Sequence, residues 1–292
     1  MTRNFAVALL LATISLPTLA LAEPGQGTNP PTAAAIPQTV PDAQDTPWPG
    51  GTIAIDIDAS DITRGLYRVT QNVPLPAGMR RITLMLPEWL PGNHAPRGPL
   101  AELAGLSFSV DGKPAAWKRD PVEVYAFHID LPAGARALTV RHVHTSPLQP
   151  AEGRVTMTPD MLNLQWEKMT LYPAGHYVRR IRVKPSITLP QGWSAAAALD
   201  GLSQQGNRFT WAETDYETLV DSPMFAGANM RRWNLGQNIT LNTVADDPAL
   251  LDLKPENLAR LNALSNEAVL ALGTPAFDRY EFLVALSNKL GD

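Results

Sequence analysis

The sequence contains no cysteine. For an exported chain that absence excludes disulfides, thiol nucleophiles, Cys-ligated zinc and a lipidated amino-terminal cysteine, and it leaves core burial alone to hold the fold. Runs of one charge are missing as well. The 24 basic and 28 acidic residues are dispersed over 292 positions, which points to neither nucleic acid nor an anionic membrane surface as a partner. Beyond the amino terminus no stretch is apolar enough to span a bilayer. Three catalytic signatures are also absent: a Gly-x-Ser-x-Gly turn to expose a serine, a Gly-rich phosphate loop, and a His-Glu-x-x-His helix to hold zinc and activate water.

What is present is ordinary for a soluble globular chain, with 45% hydrophobic and 18% charged residues, enough for one large domain or two smaller ones. Arg3 precedes an apolar stretch over residues 5–16, and Ala20-Leu21-Ala22 supplies the small-x-small pattern of a signal-peptidase site. Ser15 and Pro17 interrupt the stretch too early for a membrane anchor. Residues 1–22 therefore read as a signal peptide cleaved after Ala22, giving a secreted or periplasmic protein with no membrane span after cleavage. Residues 23–48 are rich in Pro, Gly, Thr, Gln and Ala and bury too little to offset ordering entropy, so a disordered leader is expected there.

Order is expected from about Gly51, where Ile53, Ile55 and Ile57 alternate with smaller or polar neighbours. Short strands are predicted at 66–73, 81–86, 106–110, 122–131, 138–143, 177–183 and 208–211. Pro76-Ala77-Gly78, Asp111-Gly112, Pro132-Ala133-Gly134 and Gln191-Gly192 supply reversals between them. No helical period interrupts them, so residues 49–230 read as an antiparallel β-sandwich and the chain as mainly β. The character then changes. Residues 233–235 and 239–243 form a hairpin around Gly236-Gln237-Asn238. Residues 255–272 form a helix with Leu258, Leu261, Leu264, Ala268 and Leu272 near one face, Pro255 in its first turn and Gly273 as its carboxyl cap. A further strand follows at 280–286.

The densest unusual segment is the loop 87–98, whose prolines and glycines shape a backbone that presents Trp89, Asn93, His94 and Arg97. It reads either as a ligand contact or as a rigid corner with Trp89 packed inward. His142 and His144 fall on one face of one predicted strand, but nothing places a third ligand such as His128 beside them, so surface histidines are expected. His176 is a loop residue of the same standing. Asp246-Asp247 suits a turn or a helix cap rather than an acid/base dyad.

Four stretches together resemble the glycyl aminopeptidase family of zinc metallopeptidases, peptidase family sixty-one, which joins an amino-terminal β-domain, a thermolysin-like catalytic domain and a PDZ domain. They are Leu86-Pro87-Glu88-Trp89-Leu90-Pro91-Gly92-Asn93, Leu219-Val220-Asp221-Ser222-Pro223, Arg231-Arg232-Trp233, and residues 277–286 with the sequence FDRYEFLVAL. The resemblance runs from about residue 50 to the end. It implies that residues 231–292 are the start of a truncated α+β, thermolysin-like catalytic domain. In the family the WLPG loop continues with Ser-Tyr and an Ile-Arg-Asp type segment, where this chain has His94-Ala95-Pro96-Arg97-Gly98. Family members also continue past the last strand into a Gly-rich, Leu-Glu-His type segment and the zinc helix. The sequence stops before both, so no catalytic residue is carried over, and zinc is expected only in an intact family member.

The resemblance thus implies the substrate-cleft-covering amino-terminal domain of an aminopeptidase, not catalytic alone, with Asn93, His94 and Asp221 as substrate-facing groups. Its expected partners are peptides and either the missing catalytic domain or a separate catalytic chain. Such a piece should leave the apolar face of its 255–272 helix bare. The competing reading is a free-standing peptide- or protein-binding β-sandwich module of the cell envelope.

Overall fold

Alternating isoleucines bury one face of the first strand completely: Ile53, Ile55 and Ile57 are inaccessible, while Ala54, Asp56 and Asp58 lie on the other side. The computed structural model describes residues 37–89, 96, 98, 100–147, 156–273 and 277–289. Its first half contributes β1 (Ile53–Asp58), β2 (Leu66–Pro74), β3 (Arg81–Met85), β4 (Leu103–Val110), β5 (Lys113–Ala115), β6 (Trp117–Arg119), β7 (Ala126–Asp130) and β8 (Ala137–Thr145). There follow β9 (Met161–Leu164), β10 (Tyr172–Pro173), β11 (Arg182–Thr188), β12 (Ser194–Ala197), β13 (Ser203–Gln205), β14 (Arg208–Thr210), β15 (Thr214–Asp215), helix α1 (Tyr216–Val220) and β16 (Met224–Gly227). The last elements are β17 (Met230–Asn234), β18 (Ile239–Ala245), helix α2 (Pro255–Leu272) and β19 (Tyr280–Leu286).

The fold is mainly β, as the alternation predicts. The largest sheet runs β13-β14-β11-β1-β2-β8-β4-β5, with β15 added to β11, and a four-stranded sheet runs β10-β3-β7-β6. Their inner faces share one core, in which Tyr67, Val69, Leu138 and Val140 of the large sheet join Ile82, Leu84, Phe127 and Ile129 of the small one. Pairing is antiparallel almost throughout, but β1 lies parallel to β11. A three-stranded sheet, β12-β16-β9, completes the sandwich.

Three local expectations change. Residues 38–48, assigned by composition to the leader, are packed: Gln44 bridges His176, Trp48 N–H donates to the Arg180 carbonyl, and the Trp48 ring is buried in the core. Prolines and polar residues here gain order from edge hydrogen bonds and from Asp45, which pairs with Arg179 and Arg180. That docking also alters the strand expected over 177–183. Residues 178–180 form a 3-10 turn instead, and the strand starts at Arg182. Before β7, Asp120 accepts from the Val122 and Glu123 amides and curls residues 121–125 into a turn.

The core cluster draws on residues between Trp48 and Ala226, and the sheet β17-β18-β19 lies outside it. Contact between the two is close: a Cβ at Gly227 would sit 2.4 Å from Val244 and 2.9 Å from the Asp160 carbonyl. Gly227→Ala should therefore destabilise the chain by about 1–3 kcal/mol through overpacking. Urea denaturation checks this, and a change below about 0.5 kcal/mol, the range of an inconsequential surface substitution, would show that the contact relaxes freely.

Helix α2 has its expected bounds, with Pro255 at its start and Gly273 closing it at φ 84°. Its expected apolar face is not buried. Leu264 is 64% exposed and Leu270 and Leu272 are each 75% exposed, while Ser265 is the buried residue of the helix. No helix among the described residues is long and apolar enough to cross a membrane.

Candidate functional site

Of the three residues singled out as substrate-facing, Asn93 and His94 lie outside the described residues. Asp221 closes the short helix α1, exposed, with its amide bonded to the Glu217 carbonyl. What the structure does place is the edge from which the 90–95 segment departs. Leu86 N–H donates to the Tyr125 carbonyl at 2.9 Å, which holds the chain against the turn before β7 and sets Glu88 beside Glu123. Trp89, expected inward in the rigid-corner reading, is instead 60% exposed. On the far side of the loop, Gly98 is wedged so tightly that a Cβ would meet the Pro87 carbonyl and the Tyr125 ring, each at 2.5 Å.

Glu88 and Glu123 are both half-buried, and no described cation pairs with either. Burial, and then the charge of Glu123, raise the Glu88 carboxyl above the usual carboxylate range. The two carboxylates also act on neighbouring phenols: Tyr125 and Tyr172 are raised first by burial and then by both glutamates. A partly buried carboxylate beside a second negative charge disfavours its ionised form, as at Glu88, and a bound cation relieves that.

The aromatic line continues inward. Tyr172 lies 5.3 Å from the Tyr216 ring, and the Tyr216 hydroxyl donates to the Thr170 carbonyl at 2.9 Å. Below it lies Glu167, 7% exposed on a 3-10 turn. Burial pushes Glu167 up to about 7; its own backbone amide and Lys168 counteract this and Asp221 adds to it. Asp221, exposed at the end of α1, is near enough to add its charge to Glu167, and no contact among the described residues joins it to Glu88.

The histidine expectation is corrected here. His142 and His144 do share one face of β8, but it is the buried face, continuing Leu138 and Val140. His142 Nε2 donates to the Met169 carbonyl at 2.8 Å. His144 Nε2 lies 3.3 Å from Glu102 yet out of hydrogen-bond alignment, and its ring tilts against Tyr67 at 5.9 Å. Burial holds His142 down at about 4 and His144 at about 3, so both are neutral at ordinary pH. Elsewhere His128 bridges Asp120, at 2.8 Å, and Thr83, at 2.9 Å, and His176 packs edge-on against Trp48. Neither role is visible in local sequence, because every partner except Asp120 is distant in the chain.

Residues 54–228, nearly the whole sandwich, match the peptidase M61 N-terminal domain. The chain belongs to that family. No curated protein matches the chain. Among solved structures the chain is similar to an aminopeptidase N family protein from Idiomarina loihiensis, with a TM-score of 0.63 and 17% identity over 80% of this chain and 39% of that one. It is also similar to native leukotriene A4 hydrolase from Saccharomyces cerevisiae, with a TM-score of 0.50 and 11% identity over 80% of this chain and 37% of that one. At these identities the likeness is one of fold, and this chain spans less than two fifths of either relative.

The described residues offer no donor set for the zinc expected of an intact family member. Among the described residues no group of three or more His, Cys, Asp or Glu side chains converges as metal ligands. The one histidine pair lies inside the core with a single carboxylate near it.

Proposed function

We propose that this chain is the amino-terminal, substrate-cleft-covering part of a secreted or periplasmic zinc aminopeptidase, and that its acidic seam receives the amino terminus of a peptide. The supporting observation is the uncompensated pair Glu88 and Glu123, lined by Tyr125 and Tyr172 at the root of the segment carrying Asn93 and His94. A free peptide ammonium supplies the missing positive charge, and tyrosine rings suit a short side chain beside it. The name of the Idiomarina relative, an aminopeptidase N family protein, agrees with such a site.

In this reading zinc and its His-Glu-x-x-His helix belong to a catalytic half, either continuous with this chain or a separate one. That half covers the bare leucines of α2 and the exposed rings of Phe277, Tyr280 and Phe282. The chain alone then binds peptides without cleaving them. In an enzyme containing both halves, Glu88→Gln or Glu123→Gln is expected to raise KM for peptides with a free amino terminus about tenfold, the effect of one lost charge-assisted contact, with kcat little changed. Alanine at Asn93, His94 or Asp221 is expected to raise KM as well. Unchanged KM in all five variants would remove the seam from substrate binding. Export has its own check: the mature chain should begin at Glu23, and a mature chain still beginning at Met1 would refute signal cleavage.

A further inference from the structure

Two stretches that carry the family resemblance, Arg231-Arg232-Trp233 and Asp278-Arg279-Tyr280-Glu281, are far apart in sequence and have no part in the acidic seam. They meet on one face of the β17-β18-β19 sheet. β18 pairs antiparallel with β17 and parallel with β19, which sets Arg232 opposite Asn242, Asn234 opposite Thr240, and Thr240 opposite Glu281. At the hairpin end of this face is a pocket of about 430 Å3 lined by Arg232, Asn234, Asn238, Thr240, Asp278 and Arg279.

Arg232 is held from behind by a buried polar group, and Arg279 is paired with carboxylates. Arg232 Nε donates at 2.8 Å to Oδ1 of Asn242, a side chain 1% exposed. The amide nitrogen of Asn242 donates onward to Glu281 at 2.7 Å and to the Phe282 carbonyl at 3.2 Å. Glu281, its side chain 7% exposed, faces Arg279 Nε at 3.7 Å, and Arg279 Nη1 reaches Asp200 at 3.0 Å. The chain Arg232–Asn242–Glu281–Arg279, buried at Asn242 and Glu281, fixes the Nε edge of Arg232 and sets a carboxylate beside Arg279, and among the described residues the terminal nitrogens of Arg232 have no partner.

The remaining lining supplies donors. Asn234 Oδ1 accepts from the Gly236 amide at 2.8 Å, so its NH2 group is the end left to donate. Asn238 is held at φ 57° in the turn, and its carbonyl is taken by the Tyr280 amide, which leaves its side chain to the pocket. Thr240 adds a hydroxyl without a described partner. Asp278 stands on the rim, and of the two arginines Arg232 is the one with no carboxylate paired to it among the described residues, since Arg279 already meets Asp200 and Glu281.

From this convergence we infer that the pocket between β17 and β19 is a binding site for an oxyanion, a small carboxylate or a phosphate group, held by Arg232 and Arg279 with the Asn234 amide and the Thr240 hydroxyl. The Arg232 guanidinium, its Nε edge fixed in advance, presents its terminal N–H donors at low entropic cost, and a planar fork of such donors is what carboxylate and phosphate oxygens match. The site lies outside the acidic seam, and the inference is independent of the peptidase reading.

The full chain titrated with N-acetylglycine and, separately, with inorganic phosphate tests it, read by calorimetry and by NMR of the Asn234 and Asn238 side-chain amides. Saturable binding of at least one probe is expected, with shifts at both amides. Which probe binds more tightly identifies the carboxylate or the phosphate as the preferred group. Arg232→Gln and Arg279→Gln should each weaken binding about tenfold or more, as loss of a charge-assisted contact does. Asp278→Asn should tighten it severalfold by removing the carboxylate on the pocket rim. Arg231→Gln is the control, since Arg231 points to the other face toward Leu251 and Asp252, and it should leave affinity unchanged. No saturable binding of either probe, or equal weakening by Arg231→Gln and Arg232→Gln, overturns the assignment. If Arg279→Gln loosens the fold, Asp278→Asn and Arg232→Gln still decide it.

Discussion

Acidification from pH 6.5 to 4.5 should lower the folding stability of this chain by about 3 kcal/mol, and Glu167→Gln should deepen that loss to about 5 kcal/mol. His142 and His144 bind protons in the unfolded chain at the ordinary imidazole value, but inside the core only at about 4 and about 3. The stability they contribute is complete above the unfolded value near 6.5 and is lost as pH falls toward their folded values. Glu167 works in the opposite direction. Its folded value is raised to about 7, so its favourable contribution is complete below the unfolded value of 4.5 and is lost as pH rises through 7. Between 4.5 and 6.5 two histidine slopes oppose one glutamate slope, each about 1.4 kcal/mol per pH unit, and one unit of slope survives.

Lys168 acts on both Glu167 and His144, and Glu102 lies beside His144, so these charges adjust the magnitudes without changing the signs. Replacing Glu167 by Gln removes the compensating slope and also relieves a buried carboxylate. The variant should therefore gain about 3 kcal/mol at pH 8. Urea melts of both proteins across this range measure these differences. A wild-type stability that is flat from 6.5 to 4.5 would mean that the histidines are solvated, and no gain in the variant at pH 8 would mean the same for Glu167.

Trp166→Ala should destabilise the chain by about 3–5 kcal/mol, the range for removing a fully buried large aromatic. Trp166 is inaccessible, meets Trp211 edge-on at 6.1 Å, and donates its indole N–H to the Ser222 carbonyl at 3.0 Å. It therefore joins the turn carrying Glu167 to the segment just after Asp221. Trp166→Phe keeps most of the volume and loses the hydrogen bond, leaving a buried carbonyl unpaired, so it should cost about 1–3 kcal/mol. Guanidinium denaturation separates the two contributions. A loss below 1 kcal/mol in the alanine variant would contradict the packing described.

The elements most visible in the sequence were those whose periodicity is strong. Ile53, Ile55 and Ile57 announce β1, and the leucine spacing after Pro255 gives α2 its bounds. The strands β9, β12 and β16 carry no such periodicity in the sequence. Ser194-Ala195-Ala196-Ala197 and Met224-Phe225-Ala226-Gly227 have little β propensity of their own and become strands because tertiary burial selects them. The same limit applied to His142 and His144. Alternation established that they share a face, but which face is buried depends on the sheet packed against them. Residues 38–48 read as leader because their order comes from partners more than a hundred positions away, such as His176 and Arg180.

The candidate site was legible in part for the same reason. The WLPG segment draws the eye to this edge of the sandwich, yet Glu123, Tyr125 and Tyr172 reach it only through strand pairing between β3, β7 and β10. Glu167 offered no sequence signal, since its character depends on burial. The pairing of Arg232 with Arg279 was visible only as two separate stretches of family resemblance, and the register of β17, β18 and β19 brings them together.

The central claim, that the acidic seam receives a peptide amino terminus, is tested most directly by an NMR titration of this chain. One ligand is a tripeptide with a free amino terminus and the other is the same tripeptide acetylated. The account predicts that the free peptide shifts resonances of Glu88, Trp89, Glu123, Tyr125 and Tyr172 in a saturable way and that the acetylated peptide leaves them in place. Equal shifts with both peptides, or none with either, would contradict it.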